Sequence, residues 1–211
     1  MTRLFVDRER PCGSAIQRAA DVIRAGGVVA LPTDTLYGLA ADPFNPDAVA
    51  RVFAIKGRGA DRALPLIAAD LDQVVDTLGR LPGRAHALAK QFWPGPLTLL
   101  VAAPSTLAPA VTADTGRVGI RVPGHEIGRA LCRAAGRPLT ATSANVSGAP
   151  PTADPDDVAA ALGALVDVLL DGGPSPGGDP STIVDATGPT LRLVRPGAIA
   201  WDEVLACAPR G

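Results

Sequence analysis

The sequence predicts an α/β protein, in which short strands and helices alternate along a chain of 211 residues. Compact apolar runs such as 28–31 and 97–102 are typical of buried strands, and the segments between the runs carry apolar residues at helical spacing. Several strands follow each other through short links, which favours one twisted sheet of mixed parallel and antiparallel strands over a purely parallel sheet. We expect a single domain over residues 1–211, with its core at about 12–200.

The ends of the predicted helices carry recognisable signals. Asn45 and Asp154 each stand directly before a proline, and a capping side chain followed by proline is a typical helix start. Gly26 and Gly136 follow helical segments, where a left-handed backbone commonly ends a helix. The predicted helices are 14–25, 46–55, 70–78, 83–92, 126–135, 155–162 and 201–206. The predicted strands are 28–31, 64–68, 97–102, 118–122, 139–142, 166–170, 181–185 and 191–195, the last two forming a candidate hairpin after a flexible loop at 172–180.

The composition narrows the possible functions. The formal net charge is −1 and aromatic residues make up 3%, so the chain lacks the basic excess and the stacking rings that are typical of sequence-specific nucleic-acid binders. Cys12, Cys132 and Cys207 are too scattered for a disulfide framework or a metal site, and Cys132 falls where it would pack in a helix. The charged first ten residues exclude a signal peptide, and no apolar run could span a bilayer, so we expect a cytoplasmic protein.

Two polar segments each follow a predicted strand. Residues 32–38 bring two hydroxyls, a carboxylate and a phenol directly after the strand 28–31, and residues 140–148 bring hydroxyls and an amide among small side chains. Ligands of α/β sheets commonly bind beyond the carboxyl ends of strands, although each segment could equally be a turn with local capping bonds. Neither segment has the glycine pattern of a Walker-type or Rossmann nucleotide site, and no nucleophile–base pair stands out, which argues against covalent catalysis.

Five cationic residues are the strongest candidates for binding an anion. Lys56 and Arg58 end a helix, where they could bind phosphate oxygens or simply favour the helix dipole. Arg117 and Arg121 share one face of a strand, which implies a bound anion or a nearby carboxylate, or else an exposed basic face. Arg195 ends the last predicted strand. Anion recognition suits phosphoryl or nucleotidyl transfer, in which a protein acts by positioning and electrostatics.

Seven segments, in this order, resemble the YrdC/TsaC family of threonylcarbamoyl-adenylate synthases. They are LPTDTLYGLAAD at 31–42, IKGR at 55–58, FWPGPLTLLV at 92–101, VGIRVPGH at 118–125, PLTATSANVSG at 138–148, STIVD at 181–185 and LRLVRPGAI at 191–199. The resemblance implies a twisted mixed α/β (α+β) sheet with flanking helices around a positively charged concave cleft. Gly59 stands where the family usually has proline, and Pro65 comes about one residue late, so contacts from residues 59–64 are not carried over.

The resemblance also implies a reaction and its site. L-threonine, bicarbonate (or CO₂) and ATP would give threonylcarbamoyl-AMP and pyrophosphate in a nucleotidyltransferase reaction, and partner proteins would move the threonylcarbamoyl group to tRNA. Mg²⁺ would be expected on the ATP phosphates, with no metal held by protein side chains alone. By similarity, Lys56 and Arg58 would be catalytic; Thr33, Arg121, Ala141 and Ser181 would bind threonine; and Lys56, Arg58, Arg117, Ser143, Asn145 and Arg195 would bind ATP.

Two other functions remain open from the sequence. One is a non-catalytic module of the same fold that binds double-stranded RNA or tRNA, for which the balanced charge disfavours base-specific recognition but not recognition of duplex shape. The other is a carbamoyl-transfer domain like that of hydrogenase maturation factors, which use carbamoyl phosphate. Those factors usually carry zinc-finger segments in longer chains, and this sequence has no such segment.

Overall fold

The computed structural model describes residues 1–11 and 13–207, within which eleven strands and eight helices confirm the mixed α/β class; Cys12 lies outside the described residues. The strands are β1 (Thr2–Phe5), β2 (Val29–Leu31), β3 (Gly38–Ala40), β4 (Leu66–Ile67), β5 (Leu97–Ala102), β6 (Arg117–Arg121), β7 (Leu139–Thr140), β8 (Thr142–Ser143), β9 (Val168–Asp171), β10 (Thr182–Asp185) and β11 (Arg192–Arg195). The helices are α1 (Ser14–Arg24), α2 (Pro46–Lys56), α3 (Leu71–Leu78), α4 (Gly83–Phe92), α5 (Pro109–Thr112), α6 (Glu126–Ala135), α7 (Pro155–Leu162) and α8 (Trp201–Cys207).

The strands form two mixed sheets instead of the one sheet expected from the sequence. The smaller sheet has the order β1-β9-β2-β3-β8, and the larger has the order β11-β10-β5-β6-β4-β7. The sheets separate within the predicted strand 139–142, because β7 pairs with β4 in the larger sheet whereas β8 pairs with β3 in the smaller one. Ala141 lies at this crossing and donates its N–H to the carbonyl of Pro65 at 2.8 Å. The chain therefore passes from one sheet to the other at Ala141.

The predicted start and end of α2 are confirmed. The Asn45 side chain accepts hydrogen bonds from the backbone N–H groups of Asp47 and Ala48, at 3.0 and 3.2 Å, which satisfies donors that a helix start otherwise leaves free. Gly57 follows the helix with φ +61°, a left-handed conformation that glycine adopts without the steric cost of a side chain. The chain consequently turns sharply after Lys56.

Three short elements are missing from the sequence prediction, namely β1, β3 and α5. Strand β3 begins at Gly38, the last residue of the polar segment 32–38, so the sequence pattern does not separate the strand from the segment. Strand β3 pairs antiparallel with β2 through Leu31 and Gly38. Residues 32–37 are therefore the connection of a hairpin. Strand β1 lies in the charged N-terminus and gains its pairing only from distant β9. The hairpin predicted near the C-terminus is confirmed, because β10 and β11 pair antiparallel.

Aliphatic side chains fill two buried clusters on opposite faces of the smaller sheet. Strand β2 shows the alternation of a strand buried on both sides, with Ala30 in the cluster that reaches the larger sheet, and Val29 and Leu31 in the cluster under α1 and α6. Cys132 is fully buried in the second cluster, as the sequence predicts. None of the helices in the described part of the chain has the length and apolar character that a bilayer crossing requires.

Candidate active site

A cavity of about 510 Å³ is lined by residues of both sheets. Strands β5 and β10 begin at it, whereas β6 and β11 end at it, because β6 is antiparallel to β5 and β11 is antiparallel to β10. The opposite wall is formed by the connection between β2 and β3 and by β8. Seven sequence-predicted site residues line the cavity: Thr33, Arg58, Arg121, Ala141, Ser143, Ser181 and Arg195.

Lys56 lies behind the wall formed by β8 and donates hydrogen bonds to two other predicted residues. Its Nζ donates hydrogen bonds to the Ser143 carbonyl at 2.7 Å, to the Ser143 hydroxyl at 3.2 Å and to Asn145 Oδ1 at 2.7 Å. The residue is only 2% exposed. Burial, followed by the nearby positive charge of Arg58, lowers the pKa of Lys56 to about 8. All three N–H donors thus have uncharged acceptors, so no carboxylate is among the hydrogen-bond partners of this ammonium group in residues 1–11 and 13–207.

Arg58 reaches the cavity through the turn at Gly57. Its guanidinium lies over the ring of Phe53, with 5.9 Å between the guanidinium carbon and the ring centroid. Its Nε is buried and has no hydrogen-bond partner within residues 1–11 and 13–207. A buried donor without a partner is costly, and an anionic oxygen in the cavity would relieve that cost.

Arg121, which lines the cavity, forms a largely buried ion pair with Asp34. Arg121 Nη1 lies 3.2 Å from Asp34 Oδ2, and the two side chains are 12% and 20% exposed. Asp34 Oδ2 also accepts a hydrogen bond from the Gly124 N–H at 3.2 Å. Burial lowers the pKa of Arg121, while Asp34 opposes that shift, and the guanidinium stays charged because arginine is protonated throughout the physiological range. Asp34 is a site residue that the sequence analysis did not assign.

Ser181 stands just before β10 and contacts two neighbouring side chains. Its hydroxyl oxygen lies 2.8 Å from the hydroxyl oxygen of Thr98 in β5. Arg195 Nη2 donates to the Ser181 carbonyl at 2.6 Å and to the Ser181 hydroxyl at 3.1 Å. Partial burial lowers the pKa of Arg195 without removing its charge. Two predicted residues, one proposed for each ligand, are therefore in direct contact.

Thr33 and Tyr37 shape the wall formed by the β2–β3 connection. The Thr33 hydroxyl donates to the Leu36 carbonyl at 2.7 Å and accepts a hydrogen bond from the Thr35 N–H at 3.3 Å, which leaves one acceptor position of the hydroxyl for a ligand. Tyr37 is fully buried, and its hydroxyl donates to the Gly173 carbonyl at 2.8 Å. Burial raises the pKa of Tyr37, which keeps the phenol neutral. Together with the bond from Gly177 N–H to the Thr35 carbonyl, this contact fastens the loop 172–180 beside the cavity.

Arg117 does not reach the cavity. It begins β6 and Arg121 ends it, so the two side chains share a face but are separated by about 13 Å of extended chain. Arg117 Nη1 instead lies 3.1 Å from Asp185 Oδ2, at the end of β6 away from the cavity. Although burial opposes it, hydrogen bonds from Thr187 and Arg192 and the charge of Arg117 lower the pKa of Asp185 to about 2. Each of the two strand arginines thus has its own carboxylate.

Two other surface grooves, of about 640 and 650 Å³, contain none of the predicted site residues. In one of them, Arg3 is already paired with Asp156 and Asp171, at 2.6 Å in both cases. The sequence prediction assigns no site role to Thr98 or Tyr37, although both lie inside quoted motifs and the phenol of Tyr37 is noted in the polar segment 32–38. For Thr98, a hydroxyl placed one residue into an apolar strand is the signal that could have found it.

The fold and the cavity together define a class: an α/β protein whose two sheets enclose a cationic, hydroxyl-lined cleft suited to anionic substrates. The chain belongs to the Sua5–YciO–YrdC family, whose description reads "Telomere recombination" and whose profile matches residues 21–197.

Proteins with related sequences carry one recurring name. The chain is 41% identical to the threonylcarbamoyl-AMP synthase of Bacillus subtilis over 190 residues, which is 90% of this chain and 55% of that protein. It is 38% identical to the putative threonylcarbamoyl-AMP synthase of Mycobacterium tuberculosis over 189 residues, which is 90% of this chain and 87% of that protein. It therefore spans little more than half the length of some curated relatives and most of the length of others.

A solved structure gives the same fold. The crystal structure described as Pyrococcus abyssi Sua5 complexed with L-threonine matches with a TM-score of 0.91 at 37% identity, covering 98% of this chain and 61% of that one. The mixed α/β fold expected from the resemblance is therefore confirmed at the level of the whole backbone.

Proposed function

We propose that the protein is an L-threonylcarbamoyladenylate synthase, an enzyme of the nucleotidyltransferase type that converts L-threonine, bicarbonate (or CO₂) and ATP into threonylcarbamoyl-AMP and pyrophosphate. One observation carries this proposal: a cavity of about 510 Å³ is lined by the neighbouring arginines Arg121 and Arg195 and also by Arg58, whose neighbour Lys56 lies behind the wall. An amino-acid carboxylate and a nucleotide phosphate chain could thus be bound side by side. The names of the related proteins support the proposal.

The part of the cavity around Arg121 suits threonine. A buried guanidinium binds a carboxylate strongly because little water competes for it. In our proposal the threonine carboxylate contacts Arg121 and Ser181, and the threonine side chain or amine contacts Thr33 and the backbone at Ala141. Asp34 balances the positive charge of Arg121 in an ion pair, and its negative charge would attract the ammonium group of the incoming amino acid. The relative crystallised with L-threonine supports this choice of amino acid.

The pair formed by Lys56 and Arg58 suits the phosphates of ATP. Lys56 offers a point charge behind Ser143, and Arg58 offers a fork of donors with an unpartnered Nε. Asn145 orients the lysine. Arg195 adds a further cation to the cavity lining from its position beside Ser181. Arg117 would reach ATP only if it left Asp185, so its assignment rests on the family resemblance alone.

The proposed chemistry needs positioning more than covalent catalysis. The threonine amine adds to CO₂ and loses a proton, giving a carbamate. A carbamate oxygen then attacks the α-phosphorus of ATP, the new P–O bond forms, and pyrophosphate leaves. Cations fixed around the phosphates stabilise the charge that develops in this step. Hydroxyls and cations are poor magnesium ligands compared with carboxylates, so we expect any Mg²⁺ to arrive on the ATP phosphates, where it would offset their charge.

Threonylcarbamoyl-AMP is a mixed anhydride and therefore an activated acyl donor. We propose that downstream proteins transfer its threonylcarbamoyl group to tRNA in the cytoplasm.

A pyrophosphate-release assay tests the proposal. Purified protein receives ATP and bicarbonate with one amino acid at a time, and the product is checked by mass spectrometry. We expect release that depends on threonine and a product with the mass of threonylcarbamoyl-AMP. Absence of release with every amino acid, together with tight binding of duplex RNA, would support the non-catalytic module instead. Release that depends on carbamoyl phosphate would support the carbamoyl-transfer domain.

A further inference from the structure

Thr98 is a buried hydroxyl whose partner faces the cavity. It is 4% exposed, and its Oγ1 lies 2.8 Å from Ser181 Oγ. Strands β5 and β10 are parallel, with Thr98 opposite Ile183, so both strands begin at the same edge and bring the two hydroxyls together. In the part of the chain that the structure describes, Ser181 is the one hydrogen-bond partner of the Thr98 hydroxyl. The contact therefore decides how both hydroxyl protons are oriented.

Arg195 makes one of the two possible proton arrangements useful. A hydroxyl has one donor and two acceptor positions, and a guanidinium can only donate. Arg195 Nη2 therefore occupies one acceptor position of Ser181 Oγ, at 3.1 Å. If Thr98 donates to Ser181 as well, both acceptor positions are filled and the Ser181 O–H is left to point into the cavity. If Ser181 donates to Thr98 instead, Ser181 presents a lone pair, which repels an anion.

We propose that Thr98 is a positioning residue for the substrate carboxylate. Its hydroxyl donates a hydrogen bond to Ser181, so that the Ser181 hydroxyl donates its own hydrogen bond to the carboxylate bound at Arg121. The inference rests on the proposed function, because it takes the ligand at this end of the cavity to be an amino acid. Thr98 itself does not need to touch the substrate. Its methyl group packs beside Gly119, where an added Cβ would lie 3.2 Å from Thr98 Cγ2.

Two substitutions separate the hydroxyl from the shape of this side chain. Thr98→Val keeps the branched shape and removes the donor, whereas Thr98→Ser keeps the donor and removes the methyl group. We expect Thr98→Val to raise the KM and the calorimetric Kd for L-threonine by about fivefold, as is usual for a lost neutral hydrogen bond, because nothing then holds the Ser181 proton toward the carboxylate. The KM for ATP and kcat should change by less than about twofold. Thr98→Ser should bind threonine like the parent protein.

A double-mutant cycle with Ser181→Ala tests whether Thr98 acts through Ser181. In the Ser181→Ala background, Thr98→Val should have no further effect on threonine binding, because the hydroxyl that it orients is gone. Additive effects would overturn the inference, and so would an equal rise in the KM values for threonine and ATP. If Thr98→Val does not fold, Thr98→Cys replaces it, since a thiol is a much weaker donor of similar size.

The outcomes distinguish this inference from the proposed function. A parent protein that neither binds L-threonine nor releases pyrophosphate would refute the proposed function, and this inference with it. A parent protein that does both, alongside a Thr98→Val variant with unchanged threonine affinity, would refute only the role of Thr98.

Discussion

The ammonium group of Lys56 donates a hydrogen bond to Asn145 Oδ1 at 2.7 Å, which joins the end of α2 to the segment after β8 across 89 positions of sequence. The contact brings together two residues, Lys56 and Asn145, that the family resemblance assigns to the same ATP site. It also fixes a positive charge behind the cavity wall, and within the described part of the chain the other hydrogen-bond acceptors of this ammonium group are the carbonyl and hydroxyl of Ser143.

Removing this charge should impair catalysis. We expect Lys56→Ala to lower kcat/KM for ATP at least about 30-fold, or roughly 2–3 kcal/mol of transition-state stabilisation, because a fixed cation near the phosphates is lost. Steady-state kinetics of pyrophosphate release measure the effect. Lys90→Ala is the matched control, since Lys90 is exposed on α4 and should leave kcat/KM unchanged. Near-normal turnover of Lys56→Ala would show that the phosphates bind elsewhere.

The same lysine predicts an alkaline limit to activity. Burial lowers the pKa of Lys56 to about 8, so a rise in pH through that value removes its positive charge. The kcat/KM for ATP should therefore fall above about pH 8, because this parameter reports the ionisation of the free enzyme. Lys56→Arg should lose the decline even if its overall activity is lower, because arginine remains protonated. A decline that persists unchanged in Lys56→Arg would assign the titration to another group.

Lys56 should also affect stability in a defined direction. Its pKa is lower in the folded protein than the usual value of 10.5, so the unfolded chain binds more protons between about pH 8 and 10.5. The destabilisation caused by the buried charge is thus fully present below about pH 8 and is relieved as the pH rises. Urea titrations should show that the stability gap between the parent and Lys56→Met shifts in favour of the parent from pH 8 to pH 10. A gap independent of pH would contradict the assignment.

Loss of Arg121 should mainly weaken threonine binding. We expect Arg121→Ala to cost about 2–3 kcal/mol in kcat/KM for threonine, because the substrate carboxylate loses its buried cation and the Asp34 carboxylate loses its paired charge. Isothermal titration with L-threonine measures the change directly. Arg51→Ala removes an exposed arginine that pairs with Asp167 far from the cavity and serves as the control. Unchanged threonine affinity in Arg121→Ala would place the carboxylate elsewhere.

The phenol of Tyr37 should hold the loop 172–180 in place. We expect Tyr37→Phe to lower the free energy of unfolding by about 1 kcal/mol, because the bond to the Gly173 carbonyl is lost while the ring still fills its buried space. Hydrogen–deuterium exchange should rise in residues 172–180 and stay constant in α1. Equal exchange in the parent protein and in Tyr37→Phe would mean that the other contacts of the loop are enough to hold it in place.

Much of the local structure could be predicted because its causes are local. Asn45 caps its helix through neighbouring backbone groups, and a glycine turns the chain after Lys56, so both ends of α2 follow from a few adjacent residues. The same holds for α4, β5 and α6, whose limits match the predictions. The cations of the cavity were also found by their chemistry and by the order of their motifs.

What only the tertiary structure decided depends on partners that are distant in sequence. The predicted strand 139–142 divides between two sheets because its halves pair with different strands, and sequence periodicity carries no information about pairing. Arg117 and Arg121 look equivalent in the sequence, but they lie at opposite ends of β6. Arg117 therefore pairs with Asp185, whereas Arg121 pairs with Asp34 at the cavity. Thr98 likewise gains its proposed role only because β10 lies beside β5. The sequence by itself thus determined the local elements and the kinds of chemical groups, whereas long-range strand pairing decided which of those groups meet.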